Sequence, residues 1–180
     1  GGNQASESFD SGRPATIKQK TKKLASIDLP LEPEFIAGLK EIFERKIVFN
    51  RTLGLKITEV SASKVAARIE MKPEFVGHYA HNRVHGGVIS AGLDAIGGFG
   101  VMAAIGARHR DEPVAKRIER FGKLGTIDLR VDYLRPAIGA WFELRAEVLR
   151  CGSRVASTRM EFLGADGTLL SMGSAAYIVS

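Results

Sequence analysis

The sequence predicts an α+β fold: a curled antiparallel sheet of about six strands wrapped around one long central helix. Three observations predict it. The 22-residue run from Gly86 to Ala107 carries a single charge, Asp94, which is too apolar for a helix lying on a surface. Two strand-like segments precede this run and four follow it. The connections among the last four are short, as in an antiparallel meander. A long apolar helix must bury its sides, and a sheet is the cover this chain can supply.

The elements follow in order. Residues 1–28 are rich in Ser, Lys, Gln and Gly and lack apolar periodicity. They read as a disordered tail, leaving 29–180 as one domain. A helix starts near Pro33, which suits a first turn, and Phe35, Leu39, Ile42 and Phe43 recur at helical spacing. Strands are expected over Leu53–Val60 and Val65–Met71, with Val65, Ala67, Ile69 and Met71 on one face. A loop covers Pro73–Val84, and the long helix runs from about His85 to Ile105. Its glycines weaken helix propensity, so packing must hold it. Gly92, Gly97 and Gly98 are expected to let a second helix come close. Residues 106–123 read as a charged connection.

The four closing strands come next. Thr126–Leu134 alternates, with Ile127, Leu129, Val131 and Tyr133 on one face. Trp141–Arg150 and Arg154–Leu163 are joined by the turn Cys151-Gly152-Ser153. Ala165-Asp166-Gly167 carries an Asp-Gly hairpin signal, and Thr168–Val179 closes the chain.

Composition narrows the function. Hydrophobic content of 44% in 180 residues is enough for a real core. The single cysteine, Cys151, rules out an intrachain disulfide. With no apolar N-terminal leader in this sequence, the expected setting is the cytoplasm. The apolar run is long enough to span a bilayer, which takes ~20 residues. It holds seven glycines, however, and Arg108 follows at once, so no membrane is expected. The net charge is +6 and the pI near 9.6, with the basic residues gathered in the tail and in 108–123. No nucleic-acid motif accompanies them, and no nucleic acid is expected as a partner. Solvated surface charge and a site for a small phosphorylated ligand both stay open.

Two motifs match a known family. His85-Gly86-Gly87 is followed by Asp94, and further on comes Gly125-Thr126-Ile127-Asp128-Leu129-Arg130-Val131-Asp132-Tyr133-Leu134-Arg135-Pro136. Over roughly residues 48–180 the chain resembles the hotdog-fold acyl-CoA thioesterases of the PaaI-like type, closest to the YigI-type bacterial members. The resemblance implies hydrolysis of acyl-CoA to free acid and CoA. It implies no cofactor, with coenzyme A entering only as part of the substrate. It places a base or nucleophile at Asp94, an amide that polarises the thioester carbonyl at Gly87, and a supporting hydroxyl at Thr126. In the loop Val76-Gly77-His78-Tyr79-Ala80-His81-Asn82, the family form has Asn where this chain has His78. Either His78 or Asn82 then takes the helper role. Acyl-CoA hydration on the same fold and non-catalytic acyl-CoA binding are the alternatives.

The chemistry also stands on the residues. A charge in an apolar segment is costly unless something repays it, and catalysis does so; a structural Asp bonded to backbone is the bland alternative. The start of a helix offers free N–H groups and a positive dipole end. Gly86 and Gly87 leave room there for a carbonyl oxygen, and His85 would fix the loop or the substrate carbonyl. Gly87 and Asp94 on one helix are ~10 Å apart along the axis, so both cannot touch one carbonyl. A homodimer with composite sites, each taking Gly87 from one chain and Asp94 from the other, solves this. The resemblance implies that two such dimers can pair further into a tetramer. Arg135, Arg150 and Arg154 are candidates for the CoA phosphates. His78, His81 and His85 have metal-like spacing, but no Cys or carboxylate completes a set, so no metal is expected.

Overall fold

The computed structural model describes residues 29–180; the tail reading of 1–28 lies outside them. The chain opens with α1 (Pro33–Lys40), a π-helical turn (Glu41–Lys46) and α2 (Val48–Leu53). One helix was expected here and two form. Ile47 adopts an extended conformation between them, and Gly54, at φ 67°, ends α2 in the left-handed form that glycine tolerates. Leu53 therefore closes a helix, and β1 (Lys56–Val60) starts later than its pattern suggests. β2 (Lys64–Glu70) follows.

The expected loop contains a 3-10 turn (Pro73–Phe75) and a small hairpin, β3 (Val76–His78) with β4 (Arg83–Val84). Next come α3 (Gly86–Arg108), α4 (Val114–Glu119), a 3-10 turn (Arg120–Lys123), and then β5 (Gly125–Tyr133), β6 (Trp141–Cys151), β7 (Val155–Gly164) and β8 (Leu169–Ile178). The six-stranded sheet has the order β1-β2-β6-β7-β8-β5, antiparallel throughout. Its ends are the short β1 and the nine-residue β5. At the β7–β8 turn Gly167 takes φ 84°, and Asp166 accepts from the Thr168 N–H at 3.0 Å, which makes the predicted hairpin.

α3 lies along the sheet and packs on β6, β7 and β8. Fourteen of its residues are buried, so its length and apolarity belong to a core helix. The role expected for its glycines needs correction. A Cβ on Gly92 would sit 2.6 Å from Leu144 of β6, and one on Gly97 would strike the Tyr177 hydroxyl of β8. These glycines let the helix approach its own sheet rather than a second helix. A Cβ on Gly98 would meet Leu124, Phe43 and Tyr177 at ordinary van der Waals distance, again within the chain.

Residues 108–123 are tied down by their charges. Arg117 is buried, donates to the Gly106 carbonyl at 3.1 Å and pairs with Glu32 at the start of α1. Arg110 donates to the Pro30 carbonyl at 2.9 Å and to Glu32 at 3.1 Å. Arg120 pairs with Glu112 at 2.6 Å. Two of these arginines, Arg110 and Arg117, thus fasten the start of α1 beside α3.

Candidate active site

Two clusters of polar groups sit on α3, one at its start and one two turns along. At the start, His85 is the N-cap: its backbone is extended and its Nδ1 accepts the Gly87 N–H at 2.8 Å. An accepting Nδ1 carries no proton, so the neutral ring holds its proton on Nε2. The hairpin fixes this histidine. Its N–H donates to the Phe75 carbonyl at 2.7 Å, and a Cβ on Gly77 would come within 2.6 Å of His85 Cα, so only glycine fits there. From β5 the Tyr133 hydroxyl donates to the Gly86 carbonyl at 2.8 Å. Ser90 Oγ donates to the Gly87 carbonyl at 3.1 Å.

Gly87, Ser90, Ala91 and Asp94 fall at i, i+3, i+4 and i+7, so they share one face of α3. Along this stripe none is fully buried. Asp94 Oδ1 accepts from Thr126 Oγ1 at 2.8 Å. That contact depends on a bulge in β5. Thr126 pairs with Tyr177 and Asp128 with Ala176, which leaves Ile127 unopposed. The extra residue reverses the strand's parity, so Thr126 joins Leu129 and Val131 on the side facing α3. Ile127 was expected on that side. It is pushed out and is 56% exposed.

Tyr177 on β8 completes this second cluster, its hydroxyl donating to the Asp94 backbone carbonyl at 2.9 Å. Burial, with the charge of Asp94 adding to it, raises the pKa of this phenol far above its ordinary value, so it remains a neutral donor. Beside Asp94 opens a cleft of about 280 Å³. Phe43 of the π-helical turn, Ile47, Phe121, Leu124 and Gly98 give it mostly apolar walls, with Asp94 and Thr126 at its edge. Asn50 is buried and holds the Phe43 carbonyl through Nδ2 at 2.9 Å.

The predicted residues thus fall into groups. Asp94 and Thr126 meet, and His85, Gly86 and Gly87 meet, but one chain does not bring the two groups together. His78 and Asn82 lie exposed in the β3–β4 hairpin, where Asn82 takes the left-handed conformation (φ 49°) and the His78 ring stacks on His81 at 4.8 Å. Neither hydrogen-bonds to Asp94 among the described residues. Arg135 follows β5 and lines a second pocket with Arg83 and Gly86. Arg150 and Arg154 sit at the β6–β7 turn by the far end of α3, where Arg108 donates to the Gly152 carbonyl at 3.0 Å. Sequence reasoning missed Tyr177, the tether made by Tyr133, and Arg83. For Tyr133 the signal was its place in the alternating row of β5; for Tyr177 there was none.

The thioesterase superfamily model matches residues 81–171, a span that holds the whole α3 stripe and Thr126. The chain belongs to the thioesterase superfamily. It is 34% identical over 139 residues to the medium/long-chain acyl-CoA thioesterase YigI of Salmonella typhimurium, covering 77% of this chain and 90% of that one. The Escherichia coli YigI is 33% identical over the same lengths. Among solved structures, a thioesterase-superfamily-related protein from Shewanella oneidensis aligns with a TM-score of 0.76 at 37% identity, covering 83% of this chain and 99% of that one. A Syntrophus aciditrophicus structure aligns with a TM-score of 0.69 at 29% identity, covering 91% and 99%. Within this superfamily frame, a carboxylate at the rim of an apolar cleft and helix-start amides on the same face are the parts that thioester cleavage requires.

Proposed function

We propose that the protein hydrolyses acyl-CoA thioesters to the free acid and CoA, with the acyl chain seated in the cleft beside Asp94. The observation that carries this reading is the Asp94–Thr126 pair at 2.8 Å on the edge of that apolar cleft. The medium/long-chain activity named for the YigI relatives supports an acyl chain of that class. Either Asp94 removes a proton from water that attacks the carbonyl, or its carboxylate attacks directly and water then cleaves the acyl-enzyme anhydride. Both routes expel CoA thiolate, and both develop an oxyanion. The Gly87 N–H is its donor once the carbonyl oxygen replaces His85 Nδ1 as acceptor.

Gly87 and Asp94 are two helical turns apart, so each site needs Gly87 of one protomer and Asp94 of another. β5 favours such pairing. It is the long edge strand, and long unpaired edges invite strand addition. Two β5 edges paired antiparallel would extend the sheet and set two α3 stripes side by side. The single cysteine, Cys151, fits a reducing, cytoplasmic setting.

Thiol release from a panel of acyl-CoAs tests the reaction. Asp94→Asn is expected to lower kcat by ~10²–10⁴-fold, as loss of a general base does, with the oligomer unchanged in size. If the wild type releases thiol from no member of the panel, the hydrolase reading is wrong.

A further inference from the structure

The glycines inside α3 are not alike. A Cβ on Gly92 would come within 2.6 Å of Leu144, one on Gly97 would strike the Tyr177 hydroxyl, and one on Gly106 would strike the Phe35 ring, so packing demands glycine at all three. Gly98 differs. A Cβ there would touch Leu124 at 3.6 Å and the Phe43 and Tyr177 rings at 3.7 Å, all ordinary contact distances. Helix interiors favour alanine over glycine by about fivefold per residue, and alanine fits here. Neither packing nor helix propensity therefore requires a glycine at this position. Its missing side chain has one visible effect. It leaves a gap among Leu124, Phe43 and Tyr177, and all four residues border the cleft beside Asp94.

The gap lies where an acyl chain would run. Gly98 is one turn past Asp94, ~6 Å along the axis, and is the last residue of α3 that borders the cleft. The side chains around it are held in place. Phe43 stands edge-on to Phe99 at 5.2 Å and to Phe121 at 5.5 Å, and Asn50 holds its carbonyl. Tyr177 is anchored by its hydrogen bond to the Asp94 carbonyl. Close-packed walls fixed in this way do not step back to make room for an extra methyl. An extended chain gains ~3.5 Å every three bonds. A butyryl group with its carbonyl beside Asp94 therefore stops short of Gly98, and a decanoyl group passes it.

We propose that Gly98 determines acyl-chain specificity: by leaving the floor of the cleft open, it admits acyl chains of medium length and longer. The proposal rests on the thioesterase reading above. Gly98→Ala closes the gap with one methyl. A methylene's worth of space in an apolar pocket discriminates by ~10–200-fold, so the ratio of kcat/KM for decanoyl-CoA to that for butyryl-CoA is expected to fall by about tenfold or more. The Tm is expected to equal or exceed that of the wild type, because alanine fits and favours the helix. The two readouts together separate specificity from damage, since a merely structural glycine would lower Tm and leave the ratio alone. An unchanged ratio overturns the proposal, as does a fall accompanied by a lower Tm. If the wild type releases thiol from no acyl-CoA, the thioesterase reading fails by itself, and calorimetric titration with decanoate still tests the cleft. Weaker decanoate binding by Gly98→Ala than by the wild type supports the role of Gly98. Equal binding, or none by either protein, overturns it.

Discussion

Thr126 reaches the candidate base Asp94 through a single hydrogen bond. It gives Asp94 Oδ1 a hydrogen bond at 2.8 Å and touches no other predicted catalytic residue through its hydroxyl. Thr126→Val keeps the branched shape and removes the donor. A hydrogen bond to a charged group is worth ~1.5–3 kcal/mol, so kcat is expected to fall about ten- to a hundredfold with KM little changed. Thr126→Ser restores most of the rate. Steady-state kinetics on one acyl-CoA decide it, and a Val variant as fast as the wild type would show that Asp94 works unaided. Legibility differed sharply at this scale. Asp94, Gly86 and Gly87 stood out in the sequence because a lone charge in an apolar run and paired glycines at its start are both physically unusual. Thr126 was visible only through the family motif, since nothing in an alternating strand announces a bulge. Tyr177 was invisible, because its partner is a backbone carbonyl 83 residues away.

Elements were predicted well where a period ran unbroken and poorly where the decisive contact was distant. The helical pattern of Phe35, Leu39, Ile42 and Phe43 was correct, but the break at Ile47 has no local breaker residue. The stretch 106–123 looked like a charged connection, yet two of its arginines, Arg110 and Arg117, clasp the start of α1. Glu32 makes this element-level contact testable. The Arg117 guanidinium beside it holds the Glu32 carboxyl below the ordinary carboxylate range. Its stabilisation is thus complete above that range and is lost as pH falls through the lowered folded value. Glu32→Gln leaves Arg117, whose side chain is 3% exposed, without its partner. Glu32 itself is 38% exposed, so the cost is discounted to about 1–2 kcal/mol, or roughly 3–6 °C in Tm for a chain of this size. Melting curves should show that gap at pH 7 and should converge with wild type under acid conditions. A constant gap at all pH values would mean the charge pair is not its source. Gly97→Ala tests the seating of α3 on β8. Its Cβ would push on Tyr177, and overpacking of this kind costs ~1–3 kcal/mol, read as a lowered Tm.

On the scale of the whole molecule, one chain lacks a complete site. Each chain has a helix-start amide and a carboxylate on one face of α3, too far apart to act on one carbonyl. If the sites form between protomers, two different inactive variants should rescue each other. Asp94→Asn removes the carboxylate. Gly87→Pro removes the amide; proline suits the backbone of a first helical turn, and the His85 ring, 2.9 Å from where its Cβ would sit, must swing aside. In a mixed dimer, one site combines the intact Gly87 of the first variant with the intact Asp94 of the second, while the other site carries both lesions. Random assortment makes half the dimers mixed, each with one working site of two, so co-refolded variants should regain about a quarter of wild-type activity, as two-fold symmetry dictates. Separately folded and simply combined, they should stay inactive until subunits exchange. A site complete within one chain gives no rescue under either condition, and that result would remove the dimer from the mechanism while leaving the role of Asp94 intact.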